Sequence, residues 1–150
     1  DKDQKIWTVL GSCVSVLLIA QEHRLGFMNH AVLPNHNDSV GPCAETCTKQ
    51  CSHRYEVSST RYASCSIDMM IHTFRDMGIR SDELKAVIVG GASSFKAASI
   101  FQVNQRNVKI SREILENNGI KVVYEDIGGN LGRTVWFHPW SGTYSILYKS

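Results

Sequence analysis

Apolar residues crowd the chain from Ile6 to Ala20 and are interrupted once, at Gly11-Ser12. A run of this kind, rich in Val, Leu and Ile, reads as a strand, a tight turn or bulge at the glycine, and a second strand. Gln21 to Arg24 forms a polar turn, and the apolar pattern resumes from Leu25 to Leu33, where Pro34 ends it. Strands this close in sequence are expected to pair antiparallel about a turn centred on Gln21 and Glu22. From Asn35 to Ser59 the periodicity disappears and Asn, Ser and Cys accumulate, which predicts one long Cys-rich loop. Loops of that length usually carry function or move.

Helical spacing follows the loop. Ala63, Ile67, Met70, Ile71 and Phe74 fall on one face, with Ser58, Ser59 or Thr60 as the cap and Gly78 as the stop. Ser81 to Leu84 reads as a turn, Lys85 to Val89 as a short buried strand ending at Gly90-Gly91, and residues 92–101 as a loop with helical turns. A second helix is predicted from Asn104, its cap, to Asn118, with Gly119 as a left-handed stop. Val108, Ile114 and Leu115 fit its apolar face only in part. Three strands complete the pattern, Lys121 to Glu125, Arg133 to Phe137 and Thr143 to Lys149, with glycine-bearing turns between them. This order predicts a single domain over residues 1–150. Its class is α/β, a layered sandwich of mixed and antiparallel strands with two main helices, not an alternating doubly wound fold.

Composition narrows function by exclusion. The net charge of +2 comes from 16 basic and 14 acidic residues interspersed along the chain, so no basic stripe suited to nucleic acid forms. No apolar run reaches the roughly 18 residues that cross a bilayer. The polar start, Asp1 to Lys5, lacks the apolar core of a signal peptide, and a cytoplasmic location is expected. Gly90-Gly91 and Gly128-Gly129 lack the spacing of phosphate loops and read as turns, with close approach of a ligand backbone as the alternative.

Two reactive side chains sit in segments that otherwise read as buried strands. Cys13 follows the Gly11-Ser12 turn, and His30 lies 17 positions on, in the next apolar run. Taken singly, each is a core residue on residue chemistry alone, a small hydrophobe and an imidazole bonded to a carbonyl. Taken together they are a thiol and the base that activates it, with turn amides at Gly11 and Ser12 able to lower the thiol pKa and bind an oxyanion. Thr8, on the strand leading to Cys13, is the candidate third member. A rival constellation lies in the loop, where Cys43, Cys47 and Cys51 recur every four residues with His36, His53 and Cys65 near them. Three Cys and a His can make a tetrahedral zinc site, but no second matched pair follows. Incidental thiols or loop disulfides are the other readings. The five cysteines are an odd number, which argues against a disulfide framework.

Thr8 to Val16 and Gly26 to Pro34 resemble the corresponding blocks of the CheD family of chemoreceptor glutamine deamidases. The likeness continues in order through Arg61-Tyr62-Ala63, Gly90 to Phe95, Arg106-Asn107 and Asp126 to Arg133, and so spans most of the chain. The resemblance implies a cytosolic enzyme that hydrolyses selected glutamine side chains of chemoreceptor cytoplasmic helices to glutamate. It implies a layered sandwich like that of toxin deamidases and a Cys-His-Thr triad, with Cys13 as nucleophile and His30 as base. Thr8 is assigned as the third residue, five before the cysteine, although family members can carry it six before, where this chain has Trp7. No metal or organic cofactor is implied. Two features depart from the family: the opening strand is short, and the Cys-rich loop is not a hallmark. Two other classes of function stay open at this point. One is a binding module for a CheC-type phosphatase acting on the CheY response regulator, and the other is a metal or redox sensor built on the loop cysteines.

Overall fold

A computed structural model describes residues 1–35, 60–93 and 102–149. The elements run β1 (Ile6–Leu10), β2 (Val14–Ala20), β3 (Leu25–Met28), α1 (Ala63–Asp76), β4 (Lys85–Gly90), α2 (Val103–Asn117), β5 (Lys121–Ile127), β6 (Gly132–His138) and β7 (Thr143–Lys149). They form a three-stranded antiparallel sheet, β1-β6-β7, and a four-stranded mixed sheet, β3-β2-β4-β5, in which only β4 and β5 run parallel.

Strand periodicity sorts the layers. Along β2, Val14, Val16, Leu18 and Ala20 pack with Ile67, Ile71 and Phe74 of α1 and with Leu115 of α2. The alternate residues Leu17 and Ile19 pack instead with Leu10, Val135 and Phe137 of the three-stranded sheet. Every residue of β2 is buried, which is why its sequence is apolar at every position but Ser15 and does not alternate. The molecule is thus a three-layer α/β sandwich, with helices, the four-stranded sheet and the three-stranded sheet in that order.

Most element boundaries match the pattern reading, and the departures have local causes. Strand β3 ends at Met28 instead of Leu33, because the Asn29 side chain intrudes on the ladder: Val16 N–H donates to Asn29 Oδ1 at 2.6 Å, and the Ser15 hydroxyl donates to Asn29 O at 2.6 Å. Helix α1 is preceded by Tyr62, with no side-chain cap, so Thr60 is not its cap. Ser58 and Ser59 lie outside the described residues, as do nearly all of the Cys-rich loop and residues 94–101. Helix α2 starts at Val103 after Gln102, and Asn104 sits inside its first turn. The Asn104 amide is committed elsewhere, donating to Gly91 O at 3.1 Å and Ser93 Oγ at 2.9 Å. Among the described residues no helix is long and apolar enough to cross a membrane.

Between β1 and β2 the chain leaves one sheet and joins the other, and Gly11-Ser12-Cys13 is the corner. It is braced from β4: Ala92 N–H donates to Gly11 O at 3.0 Å, and Gly91 N–H to Cys13 O at 2.9 Å. Gly90 has φ +116°, and a Cβ there would lie 2.2 Å from Cys13 O. The glycine pair read from the sequence as a turn therefore admits the chain's own backbone at Cys13. Gly90→Ala is expected to cost about 2–3 kcal/mol, the scale of enforced backbone strain, and to lower Tm by roughly 5–10 °C. Thermal denaturation followed by circular dichroism checks this, and an unchanged midpoint would contradict the close approach.

Candidate active site

Three strands deliver the candidate residues to one end of the space between the sheets. In β1 the inward positions are Ile6, Thr8 and Leu10, while Trp7, 56% exposed, and Val9 point outward. Trp7 stacks on Trp136 of β6 on that outer surface, with ring centroids 5.3 Å apart. Of the two positions considered for a third catalytic residue, only Thr8 faces the interior and carries a hydroxyl. Cys13 is half-buried and packs against the core between the sheets. Met28 packs against the same core, and His30, two residues on, shares its side of the strand path.

Thr8 and His30 are in direct contact, Oγ1 lying 2.6 Å from Nδ1. The proton on that bond is fixed by the imidazole tautomer. With Nδ1–H donating to the threonine oxygen, Nε2 keeps its lone pair for use as a base.

The β2–β3 register relates Cys13 to His30. Ala20 pairs with Leu25, Leu17 with Met28, and Val14 with Ala31 through a bridge bonded in both directions, at 3.0 and 2.8 Å. Cys13 and His30 each immediately precede one member of that last pair. The ladder is centred between Glu22 and His23, one residue beyond the sequence-based centre, because Gln21–His23 forms a 3₁₀ turn closed by Arg24 at φ +51°. The one-residue shift sets Cys13 diagonal to His30 instead of directly opposite it. Diagonal neighbours on one face have Cα atoms about 7–8 Å apart, within reach of longer side chains.

A buried polar network fixes the backbone beneath His30. Asn29 Nδ2 donates to Ser66 Oγ at 2.7 Å, and Ser66 in turn donates to Tyr62 O at 2.7 Å, anchoring the strand end to the start of α1. On the far side of Ala31, Asn107 Nδ2 donates to Val32 O at 3.1 Å. These residues were not singled out from the sequence as site residues. The one available signal was a polar Asn beside His30 in an apolar run. A second network ties the sheets together near the Cys13 corner. Arg133 Nε and Nη2 donate to Asp126 Oδ1 at 3.1 and 3.0 Å, and Tyr148 donates its hydroxyl to Asp126 Oδ2. Both partners of the ion pair are almost fully buried.

The electrostatics run opposite to the expectation that the turn lowers the thiol pKa. Burial pushes the Cys13 thiol up, and the opposing effect of its own backbone N–H is smaller. Burial also pulls the His30 imidazole down. Both shifts favour the uncharged forms, a thiol at Cys13 and a neutral imidazole at His30. Gly11 and Ser12 are exposed at the mouth of the corner, and among the described residues nothing takes the Ser12 N–H. No group of three or more His, Cys, Asp or Glu able to hold a metal occurs among the described residues. Cys65 is buried in α1, whereas His36, Cys43, Cys47, Cys51 and His53 lie outside the described set.

The family model described as CheD chemotactic sensory transduction matches residues 46–147. A probable chemoreceptor glutamine deamidase CheD of Maridesulfovibrio salexigens is 32% identical over 90% of this chain and 76% of its own length. The chemoreceptor glutamine deamidase CheD of Halalkalibacterium halodurans is 31% identical over 91% of the chain and 78% of its own. A probable chemoreceptor glutamine deamidase CheD of Herminiimonas arsenicoxydans is 30% identical over 99% of the chain and 66% of its own, a match that takes in Thr8, Cys13 and His30. The fold, the domain match and these relatives together establish that the chain belongs to the CheD family.

Proposed function

We propose that this protein hydrolyses glutamine side chains of chemoreceptors to glutamate and ammonia, with Cys13 as nucleophile, His30 as base and acid, and Thr8 as the residue that orients His30. Family membership supports the reaction. The observation that carries the residue roles is the 2.6 Å contact between Thr8 and His30 Nδ1, on a strand whose register sets His30 diagonal to Cys13. The receptor's cytoplasmic part is the substrate, so the protein acts in the cytoplasm.

The chemistry follows from the protonation states. His30, neutral and with Nδ1–H donating to Thr8, takes the Cys13 proton at Nε2 as sulfur attacks the carboxamide carbon. The amides of the Gly11–Cys13 corner, Ser12 N–H foremost, stabilise the oxygen that becomes negative. The imidazolium then returns its proton to the departing nitrogen, releasing ammonia and leaving a thioester. Water activated by the same Nε2 hydrolyses the thioester, releasing glutamate and restoring the thiol. Thr8 offers an uncharged oxygen to the imidazolium, so it orients the ring without the Coulombic stabilisation that an aspartate supplies in serine hydrolase triads.

Cys13→Ala is expected to abolish ammonia release from a chemoreceptor cytoplasmic fragment, a loss of at least about 10³-fold, as for removal of a covalent nucleophile. Undiminished release would refute the nucleophile assignment. Thr8→Val, which keeps shape and removes the hydroxyl, is expected to lower kcat roughly tenfold to a hundredfold with little change in KM, the range of a lost orienting hydrogen bond.

The pKa directions give a separate test. Protonating His30 removes the base, so kcat/KM falls with decreasing pH through a pKa on the acid side of a free imidazole. Alkylation of Cys13 by iodoacetamide, mapped by mass spectrometry, should accelerate with pH through a midpoint on the alkaline side of a free thiol. A Cys13 already fully reactive at neutral pH would show a preformed thiolate and contradict this resting state.

A further inference from the structure

Among the described residues β3 is an edge strand, and its free edge is the floor of a groove of about 570 Å³ whose lining includes His30. Six consecutive residues, Leu25 to His30, line it. Side chains of a strand alternate between faces, so an unbroken run of lining residues means that the groove follows the backbone edge. The ladder defines which groups lie there. Asn29 N–H bonds Val16 O and Ala31 N–H bonds Val14 O, so the odd-numbered residues turn their main-chain groups toward β2. Gly26, Met28 and His30 turn theirs to the groove, and none of these groups has a hydrogen-bond partner among the described residues.

The next group in that outward series shows what the edge accepts. Val32 N–H, two residues past His30, is taken by Arg61 O at 2.8 Å, and Leu33 bridges Tyr62 in parallel fashion. The chain thus pairs with its own edge just beyond His30, and among the described residues nothing pairs with the outward main-chain groups of Gly26, Met28 and His30. The walls of the groove come from the two outer layers: Met69 and Thr73 of α1 on one side, Ile6 and Pro139 on the other. The space between them is the place of a further strand in the middle layer. Among the described residues no Asp, Glu, Lys or Arg lines it.

We infer that the substrate glutamine is presented on an extended segment of about five residues that adds as a strand to the free edge of β3. The occupant is uncharged where it lies in the groove, with apolar side chains at alternate positions against Met69 on one face and Ile6 on the other. The residue opposite His30 carries the glutamine, since its side chain shares the face on which the His30 ring lies. A receptor segment that is helical at rest must unwind over those residues to be modified. The inference rests on the deamidase reading and adds to it the conformation in which the substrate is recognised.

Amide hydrogen exchange on Cys13→Ala protein tests it, with and without a glutamine-bearing peptide taken from a receptor fragment that wild-type protein deamidates. The Met28 and His30 amides are expected to exchange freely in the protein alone and at least tenfold more slowly with peptide, while Asn29 and Ala31 are protected in both. Protection of Met28 without peptide would mean that the chain covers its own edge, and either that or exchange unmoved by peptide overturns the inference. Met28→Pro removes an outward N–H without touching the β2 ladder, and should raise KM about fivefold or more for the same fragment. Should that variant not fold, the peptide N-methylated at the residue facing Met28 removes the reciprocal bond, from peptide N–H to Met28 O, and an unchanged KM again refutes the strand mode. Absence of ammonia release by wild-type protein from every receptor fragment tried would count against the deamidase reading itself, not the docking mode.

Discussion

Strand β2 is enclosed on both faces, by the helices on one and by the three-stranded sheet on the other, and the rest of the molecule is arranged to satisfy it. Each of its large apolar side chains gains about 1.5–3 kcal/mol by burial. A shift of register by one residue would exchange the helix-facing set, Val14, Val16 and Leu18, with the sheet-facing set that includes Ser15. The register of β2 with β3 and β4 is therefore tightly specified. Because Cys13 immediately precedes β2 and His30 lies on the strand path paired with it, the same constraint that builds the core sets the thiol and the imidazole diagonal to each other.

The corner before β2 has the opposite character. Its main-chain groups are braced by β4, while Gly11 and Ser12 stay exposed. A rigid frame with an open mouth suits a site whose nucleophile must be fixed and still admit a side chain from another protein. The Arg133–Asp126–Tyr148 network adds to the frame by joining β5 to β6 and β7 across the two sheets. Breaking one partner of such a buried pair leaves an uncompensated charge, so the network acts as a unit.

Much of this was legible in the sequence because the signals were local. The break at Gly11-Ser12, the helix face from Ala63 to Phe74, and the glycine stops at Gly78 and Gly119 each follow from spacing or from backbone freedom within a few residues. The pairing of β2 with β3 followed from the shortness of the turn. What the sequence did not show was tertiary. Asn104 reads as a cap by its type, yet its amide is spent on the Gly91 loop. Asn29 sits in an apolar run that continues to Leu33, and only the folded neighbours Ser15, Val16 and Ser66 reveal that it ends the strand. The direction of the thiol pKa was also hidden, since a turn suggests donors but burial depends on what packs around it. Which of Trp7 and Thr8 faces inward was likewise hidden until β1 had a partner that defined inside and outside.

The uncharged resting state of the Cys13–His30 pair has a consequence for the chemistry of the cell around it. Peroxide reacts with thiolates far faster than with thiols, and a low-pKa cysteine kept permanently ionised is readily lost to sulfenic and sulfinic acids. Under the mechanism proposed above, Cys13 stays protonated until His30 removes its proton over a bound carboxamide, and is ionised only while substrate occupies the space that an oxidant would need. On that mechanism burial, which by itself makes the thiol less reactive, would keep the cysteine durable between turnovers.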